Sequence, residues 1–359
     1  MKKTTMNRRN FLLASGMGVI SAKSLTSNTF KDQQDGLFYS GESNKSKLTK
    51  IFPKPLREGS KIAITAPASP ISEWQVRGAV RTFKKLGCET VIGDTIKNPK
   101  GEYRYFSESE DKRAKELMDF VEDPSIDCIL CGRGGYGVMR ILNKLDFEKF
   151  RKNPKIIIGF SDITALLTSV YNLAGLVTYH GPVASSTFNN FTLENFKKVL
   201  FFNQDQNFTF DYPRADIIQS GVATGNLTGG NLKMIVSTLG TPYETDTEDS
   251  ILFLEDVDEH PYKIDRMLTQ LKLAGKLDSV KGFIFGIFKG LNVRKPFYPN
   301  NSFTLREVID QVIVPLGKPV VIGMPIGHIK EKFTMPIGVR ARLDTETKSI
   351  QFLELPVLA

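Results

Sequence analysis

The chain of 359 residues is 41% hydrophobic and carries a formal charge of +9, of which Lys2, Lys3, Arg8 and Arg9 supply four, leaving +5 on the rest. That mild basicity, with no Lys/Arg block interleaved with aromatics, argues against a nucleic-acid partner. Three cysteines, Cys88, Cys128 and Cys131, exclude a disulfide scaffold, and the length allows two ordinary domains with cores of their own.

Residues 1–23 open with Met-Lys-Lys, carry Arg8-Arg9-Asn-Phe11-Leu12, and continue as a short run of Leu, Ala, Gly, Met, Val and Ile ending near Ala22. A basic start, a short apolar core and small residues behind it predict an export signal of the twin-arginine kind. The core is too short and too rich in Gly and Ser for a stable membrane span. Residues 24–50 are polar and poor in aliphatics, the composition of a flexible spacer.

From Lys61 strand-like and helix-like patterns alternate. Lys61 to Ala66 reads as a strand, Ser72 to Leu86 as a helix, Thr90 to Ile92 as a short strand and Asp111 to Val121 as a helix. The run Ile126 to Leu130 is a strand, Val138 to Leu145 a helix, Ile156 to Ile158 a strand followed by another helix, and Leu176 to Tyr179 a strand. Such alternation predicts that residues 51–195 form an α/β domain, a mostly parallel sheet with flanking helices of flavodoxin or Rossmann type. Across 196–219 the periodicity lapses into a linker. Residues 220–359 form a second, smaller, β-rich α/β domain with strands at Ile251 to Leu254, Gly282 to Phe288 and Val320 to Ile322 and a closing hairpin from Val339 to Leu355.

The chemistry centres on Gly159-Phe-Ser161-Asp162, between the apolar Ile156 strand and a helix-like run. A serine on that turn projects from the carboxyl edge of a parallel sheet, where a nucleophile belongs, although the second glycine of G-x-S-x-G is replaced by Ile163. Gly132-Arg133-Gly134-Gly135-Tyr136-Gly137 formally matches the dinucleotide fingerprint, but it follows a middle strand, and bulky Arg133 stands where a phosphate must approach closely. Its backbone N–H groups better suit an oxyanion hole, with Arg133 or Arg140 holding a substrate carboxylate. A serine nucleophile needs a base. His328, straight after a strand and a glycine, leads His180 and His260, and Glu255 or Asp256 at the end of an apolar strand is placed to orient it. Cys128-Ile-Leu-Cys131 lies in a strand, where residues three apart face opposite sides, so neither a redox pair nor a zinc clip is expected.

With these residues assembled, the chain from about Lys61 to Leu355 resembles the murein LD-carboxypeptidase family of serine peptidases, which also contains the microcin C self-immunity proteins. The resemblance rests on Gly132 to Gly137, Gly159 to Thr164, His180-Gly-Pro182, Gly229-Gly-Asn231, Leu254 to Val257 with Tyr262 to Arg266, and Gly327-His328 ahead of Met335-Pro-Ile-Gly338. It implies a Ser161–Glu255–His328 triad, an oxyanion hole at the backbone of Gly135 and Asp162, and substrate contacts from Arg133, Tyr136, His180 and Asn231. It further implies no metal or organic cofactor, a homodimer, and release of the terminal D-alanine from a murein tetrapeptide, a small peptide substrate. The leader points to a periplasmic enzyme, with a cytoplasmic one as the alternative. The main rival is hydrolysis of peptidyl-nucleotide antibiotics on the same fold.

Overall fold

Short runs that are apolar at every position, such as Ile156-Ile-Ile, have no polar face to turn to water and so become central strands covered on both sides. The computed structural model describes residues 48–97, 104–201, 208–291 and 302–358; the expected leader and the spacer through residue 47 lie outside them. The first sheet holds β1 (Lys61–Thr65), β2 (Glu89–Ile92), β3 (Cys128–Cys131), β4 (Ile156–Gly159) and β5 (Thr178–His180) in the order β5-β4-β3-β1-β2, all parallel. Every residue of β3, β4 and β5 is buried. This is the doubly wound order whose strand direction switches between β1 and β3, and ligands bind at the carboxyl ends beside such a switch.

Helices α1 (Glu73–Lys85), α2 (Asp94–Lys97), α3 (Glu110–Glu122), α4 (Phe147–Lys152), α5 (Thr164–Ala174) and α6 (Asn190–Leu200) accompany these strands. The start of α1 is fixed by Ser72, whose backbone N–H donates to Gln75 Oε1 at 3.0 Å, the reciprocal half of a capping box. Unlike these amphipathic helices, α5 carries no charged residue and is buried on nearly every side, because it packs on β4 and β5 and also on the second sheet.

The second sheet comprises β6 (Thr209–Asp211), β7 (Asp216–Gln219), β8 (Val222–Asn231), β9 (Ser250–Val257), β10 (Gly282–Lys289), β11 (Val320–Gly327), β13 (Arg340–Asp344) and β14 (Ser349–Phe352). Its order is β6-β14-β13-β8-β9-β10-β11-β7, with a parallel centre from β8 to β11 and antiparallel flanks. Strand β12 (Met335–Ile337) instead pairs antiparallel with β5, so a C-terminal segment completes the first sheet. Helices α7 (Leu232–Ser237), α8 (Pro261–Leu273) and α9 (Leu305–Val312) cover a second core around Leu252, Leu254, Phe283 and Phe285. Among the described residues, no helix is long and apolar enough to cross a membrane.

Two local expectations fail. The stretch 196–219 is not structureless, since it carries the end of α6 and both β6 and β7; their edge positions and half-buried residues hide the alternation that marks a strand. Val138 to Leu145 forms two 3₁₀ turns, Val138–Arg140 and Leu142–Lys144, rather than one helix. There the backbone is claimed by tertiary partners: the Val138 N–H donates to Asp162 Oδ2 at 2.9 Å, and Gly137 O accepts from Arg113 Nη1 at 2.9 Å. The glycine turn after β3 therefore feeds no α-helix N-terminus, and the dinucleotide reading loses the dipole that would hold a pyrophosphate.

Candidate active site

At the end of β4 the backbone stays extended through Phe160, then reverses at Ser161, whose φ of 66° is left-handed for a residue that carries a Cβ. Such a conformation costs on the order of 1 kcal/mol and persists only where surrounding contacts impose it. The contacts are visible. Gly134 approaches so closely that a Cβ there would lie 2.7 Å from Ser161 Cβ and 3.1 Å from the Asp162 nitrogen, so only glycine fits against the serine turn. Asp162, 3% exposed, turns its carboxylate to the Val138 N–H and so fastens the serine turn to the glycine turn. Burial pushes its pKa up to about 6 against the opposing pull of the Val138 N–H, the Arg113 charge and the Gly137 N–H. Fully buried Arg113 braces the same turn from beneath, donating to Pro67 O at 2.6 Å and Glu108 O at 3.0 Å as well as to Gly137 O.

The second sheet brings the base and the acid. His328 follows β11, and its Nδ1 lies 2.7 Å from Glu255 Oε2; the imidazole is 19% exposed, whereas the Glu255 side chain is wholly buried. An ionised carboxylate can only accept, so Nδ1 bears the proton and Nε2 is the basic nitrogen. Glu255 reaches His328 because β10, the strand between them, shifts register around Gly286 and Ile287 opposite it, and because Gly327 has no side chain: a Cβ there would sit 2.8 Å from Glu255 Oε2. Register also sets Asn231 beside Glu255 on the neighbouring strand β8. The Asn231 amide donates to Glu255 Oε1 at 3.3 Å and Asp256 Oδ1 at 3.1 Å, and its oxygen accepts from the Met234 N–H at 3.2 Å.

Two contacts join the sheets here. Phe160, the residue before Ser161, packs edge-on against the His328 ring with centroids 4.8 Å apart, and the Asn231 N–H donates to Thr164 Oγ1 at 3.1 Å at the start of α5. Ser161, His328 and Glu255 thus belong to one constellation, flanked by the glycine turn. The remaining acids of the cluster are engaged elsewhere. Asp256 accepts from the backbone N–H groups of Lys233 and Val257 at 3.0 and 2.8 Å, and Glu259 pairs with Lys233 and Lys263. Among the described residues, no group of three or more His, Cys, Asp and Glu side chains is placed to hold a metal ion.

The other expected site residues divide. Arg133 and Tyr136 are exposed on the glycine turn; Tyr136 stacks on Phe106 at 5.7 Å, and its N–H is committed to Ser69 Oγ at 3.0 Å. Arg140 is drawn away by Glu110 at 2.5 Å. Asn231 is 4% exposed and braces the acids, with its side chain occupied by protein partners rather than turned to an open cleft. His260 starts α8 and stacks on Tyr262 at 5.7 Å. His180, 2% exposed, lies beneath the site between Phe160 and Phe253, and neither ring nitrogen has a hydrogen-bond partner among the described residues.

Burial therefore holds His180 neutral, its pKa lowered to about 4, with Glu255 opposing and the His328 and Lys332 charges assisting. The unfolded chain binds a proton at this residue below about pH 6.5 that the folded chain refuses until about pH 4, so stability falls as the pH drops through that window. Urea denaturation of wild type and His180→Asn across pH 4–7 should read this directly. The wild type is expected to lose up to about 3 kcal/mol more than the variant between pH 6.5 and 4; parallel curves would mean that the folded protein protonates the ring normally.

One residue of the site escaped sequence reasoning altogether. Lys332 is 5% exposed, and its Nζ stands 4.3 Å from the centroid of the Phe160 ring. Burial lowers its pKa to about 8, against the attraction of Glu255 and with the help of the Lys289 charge. Nothing in Lys330-Glu331-Lys332 separates it from a solvated charged loop.

Comparison with known proteins matches residues 62–181 to the LD-carboxypeptidase N-terminal domain and residues 224–343 to the LD-carboxypeptidase C-terminal domain. A probable murein peptide carboxypeptidase from Bacillus subtilis is 36% identical over 302 residues, covering 83% of this chain and 92% of that protein. The microcin C7 self-immunity protein MccF of Escherichia coli is 28% identical over 342 residues, covering 85% and 96%. A structure of MccF in complex with glutamyl sulfamoyl guanosine superposes with a TM-score of 0.78 at 25% identity, covering 86% of this chain and all of that one. The muramoyltetrapeptide carboxypeptidase from Oxalobacter formigenes gives a TM-score of 0.70 at 30% identity, covering 81% and 97%.

Proposed function

This chain belongs to the LD-carboxypeptidase family and is a carboxypeptidase of the serine type, and from that premise we propose that it releases the terminal D-alanine from murein tetrapeptides. The observation that carries the reading is the buried Glu255–His328 pair at 2.7 Å beside a serine held at φ 66°. In this scheme Ser161 Oγ attacks the carbonyl carbon of the diamino acid while His328 Nε2 takes its proton. The oxyanion forms against the backbone N–H groups of Gly135 and Asp162. Collapse breaks the C–N bond as His328 returns the proton to the departing D-alanine nitrogen, and water then hydrolyses the acyl-serine by the same relay in reverse. Buried Glu255 stabilises the imidazolium formed in both halves.

Mass spectrometry of an L-Ala-D-Glu-diamino acid-D-Ala tetrapeptide incubated with the full chain tests the proposal. Loss of one alanine is the expected result, and an intact tetrapeptide in the presence of folded protein removes it. The second reading is cleavage of a peptidyl-nucleotide. It is favoured by Tyr105 and Tyr136, 55% and 46% exposed and 5.6 Å apart beside the glycine turn, where a base could stack. An aminoacyl sulfamoyl nucleoside in the same assay separates the two. The proposal extends to export by the residue 1–23 leader into the periplasm, with the cytoplasm as the alternative, and to action as a homodimer.

A further inference from the structure

A lysine that is nineteen-twentieths buried normally has a carboxylate partner, because stripping water from an ammonium costs several kcal/mol unless a charge or strong acceptors replace it. Among the described residues, no carboxylate lies within ion-pair distance of Lys332, and its Nζ rests on the face of Phe160. The loop that carries it is rigidly seated. Thr192 Oγ1 on α6 donates to Lys330 O at 2.9 Å and accepts from the Lys332 N–H at 3.2 Å, while the Phe333 N–H donates to Pro325 O at 2.8 Å. Phe333, 3% exposed, stacks on Phe191 at 5.5 Å and locks the next position. The ammonium is therefore held in place rather than free to swing out to water, and its depressed pKa is what such a position produces. The aromatic face beneath it belongs to the residue that directly precedes Ser161. In a peptide attacked at its last amide bond, the terminal carboxylate carbon is three covalent bonds from the scissile carbonyl carbon, so it must come to rest close to the nucleophile. The other cations examined for that task are poorly placed: Arg133 is exposed and Arg140 is paired with Glu110.

We propose that Lys332 is a specificity-determining residue that receives the substrate's terminal carboxylate and so restricts cleavage to peptides ending in a free acid. This rests on the carboxypeptidase reading above and names the group that enforces it. A buried ammonium with no carboxylate partner among the described residues gains most from an anion that arrives already desolvated, and Phe160 supplies a soft cation–π rest until then.

The test compares the tetrapeptide ending in D-alanine with the same peptide ending in D-alaninamide, using wild type, Lys332→Met and Lys332→Arg, each checked for folding by circular dichroism and thermal melting. Wild type is expected to prefer the acid by about 100-fold or more in kcat/KM. Lys332→Met should lose that factor on the acid, mainly through KM, while changing the amide by no more than about threefold, and Lys332→Arg should restore much of the preference. Wild type that cleaves acid and amide equally overturns this proposal and leaves the tetrapeptide reading standing. So does a methionine variant that keeps the preference or falls equally on both peptides. Wild type inactive on both removes the reading and this proposal with it. Should the methionine variant not fold, the wild-type ratio and the arginine variant still decide.

Discussion

Ser161→Ala is expected to lower kcat on the tetrapeptide by roughly 10⁵-fold while leaving the protein folded. The loss is large because serine and histidine act as a unit, so removing the nucleophile also idles His328 and Glu255 and leaves only binding and the oxyanion donors. The fold should barely notice, since Ser161 lies at a partly exposed turn and no strand of either sheet depends on its hydroxyl. The stronger test is Ser161→Gly. At φ 66° a glycine is at ease where serine is strained, so this variant should be as inactive as the alanine one yet more stable than wild type by about 1 kcal/mol in urea denaturation. Stability gained together with activity lost would locate the strain at the nucleophile. An alanine variant that keeps more than about 1% of the wild-type rate would exclude Ser161 as the attacking group.

Much of this site was legible because the residues that build it obey local rules. The all-apolar Ile156-Ile-Ile run could only be a strand covered on both faces, and a serine at its carboxyl end could only stand at the sheet edge, where the structure has it. Ile163 in place of the second glycine proved compatible with the sharp turn because the strain falls on Ser161 itself and the close approach is made by Gly134 from another strand. What stayed hidden depends on contacts between segments far apart in the chain. The helix expected from Val138 is replaced by 3₁₀ turns because Arg113 and Asp162 take its backbone groups, and no local pattern announces either. Lys332 reads as one more charge in a charged loop, and only the tertiary fold buries it over Phe160. Asn231 could be singled out from Gly-Gly-Asn, but its task of tying Glu255 to Asp256 follows from the β8–β9 register.

The choice between the two adjacent acids, Glu255 and Asp256, is where sequence alone stops and the largest remaining prediction begins. Glu255→Gln is expected to lower kcat by about 10³- to 10⁴-fold with little change in KM. The amide has no good arrangement. If its oxygen faces His328 Nδ1, its NH₂ confronts the Asn231 NH₂, two donors in contact; if it flips, it donates to Nδ1 and forces the imidazole proton onto Nε2, the nitrogen that must act as base. Either way the negative charge that stabilises the imidazolium is gone from a fully buried site, where it is least replaced by water. Asp256→Asn is the necessary counterpart. Asp256 accepts from the Lys233 and Val257 N–H groups at the start of α7 and the end of β9, so its loss should register in stability, with kcat changed by less than about tenfold. Steady-state kinetics of both variants alongside urea denaturation would separate the roles. A near-normal kcat in Glu255→Gln with the deficit transferred to Asp256→Asn would reverse the assignment, since the two carboxylates share Asn231 and only the one that reaches across the β10 bulge touches His328.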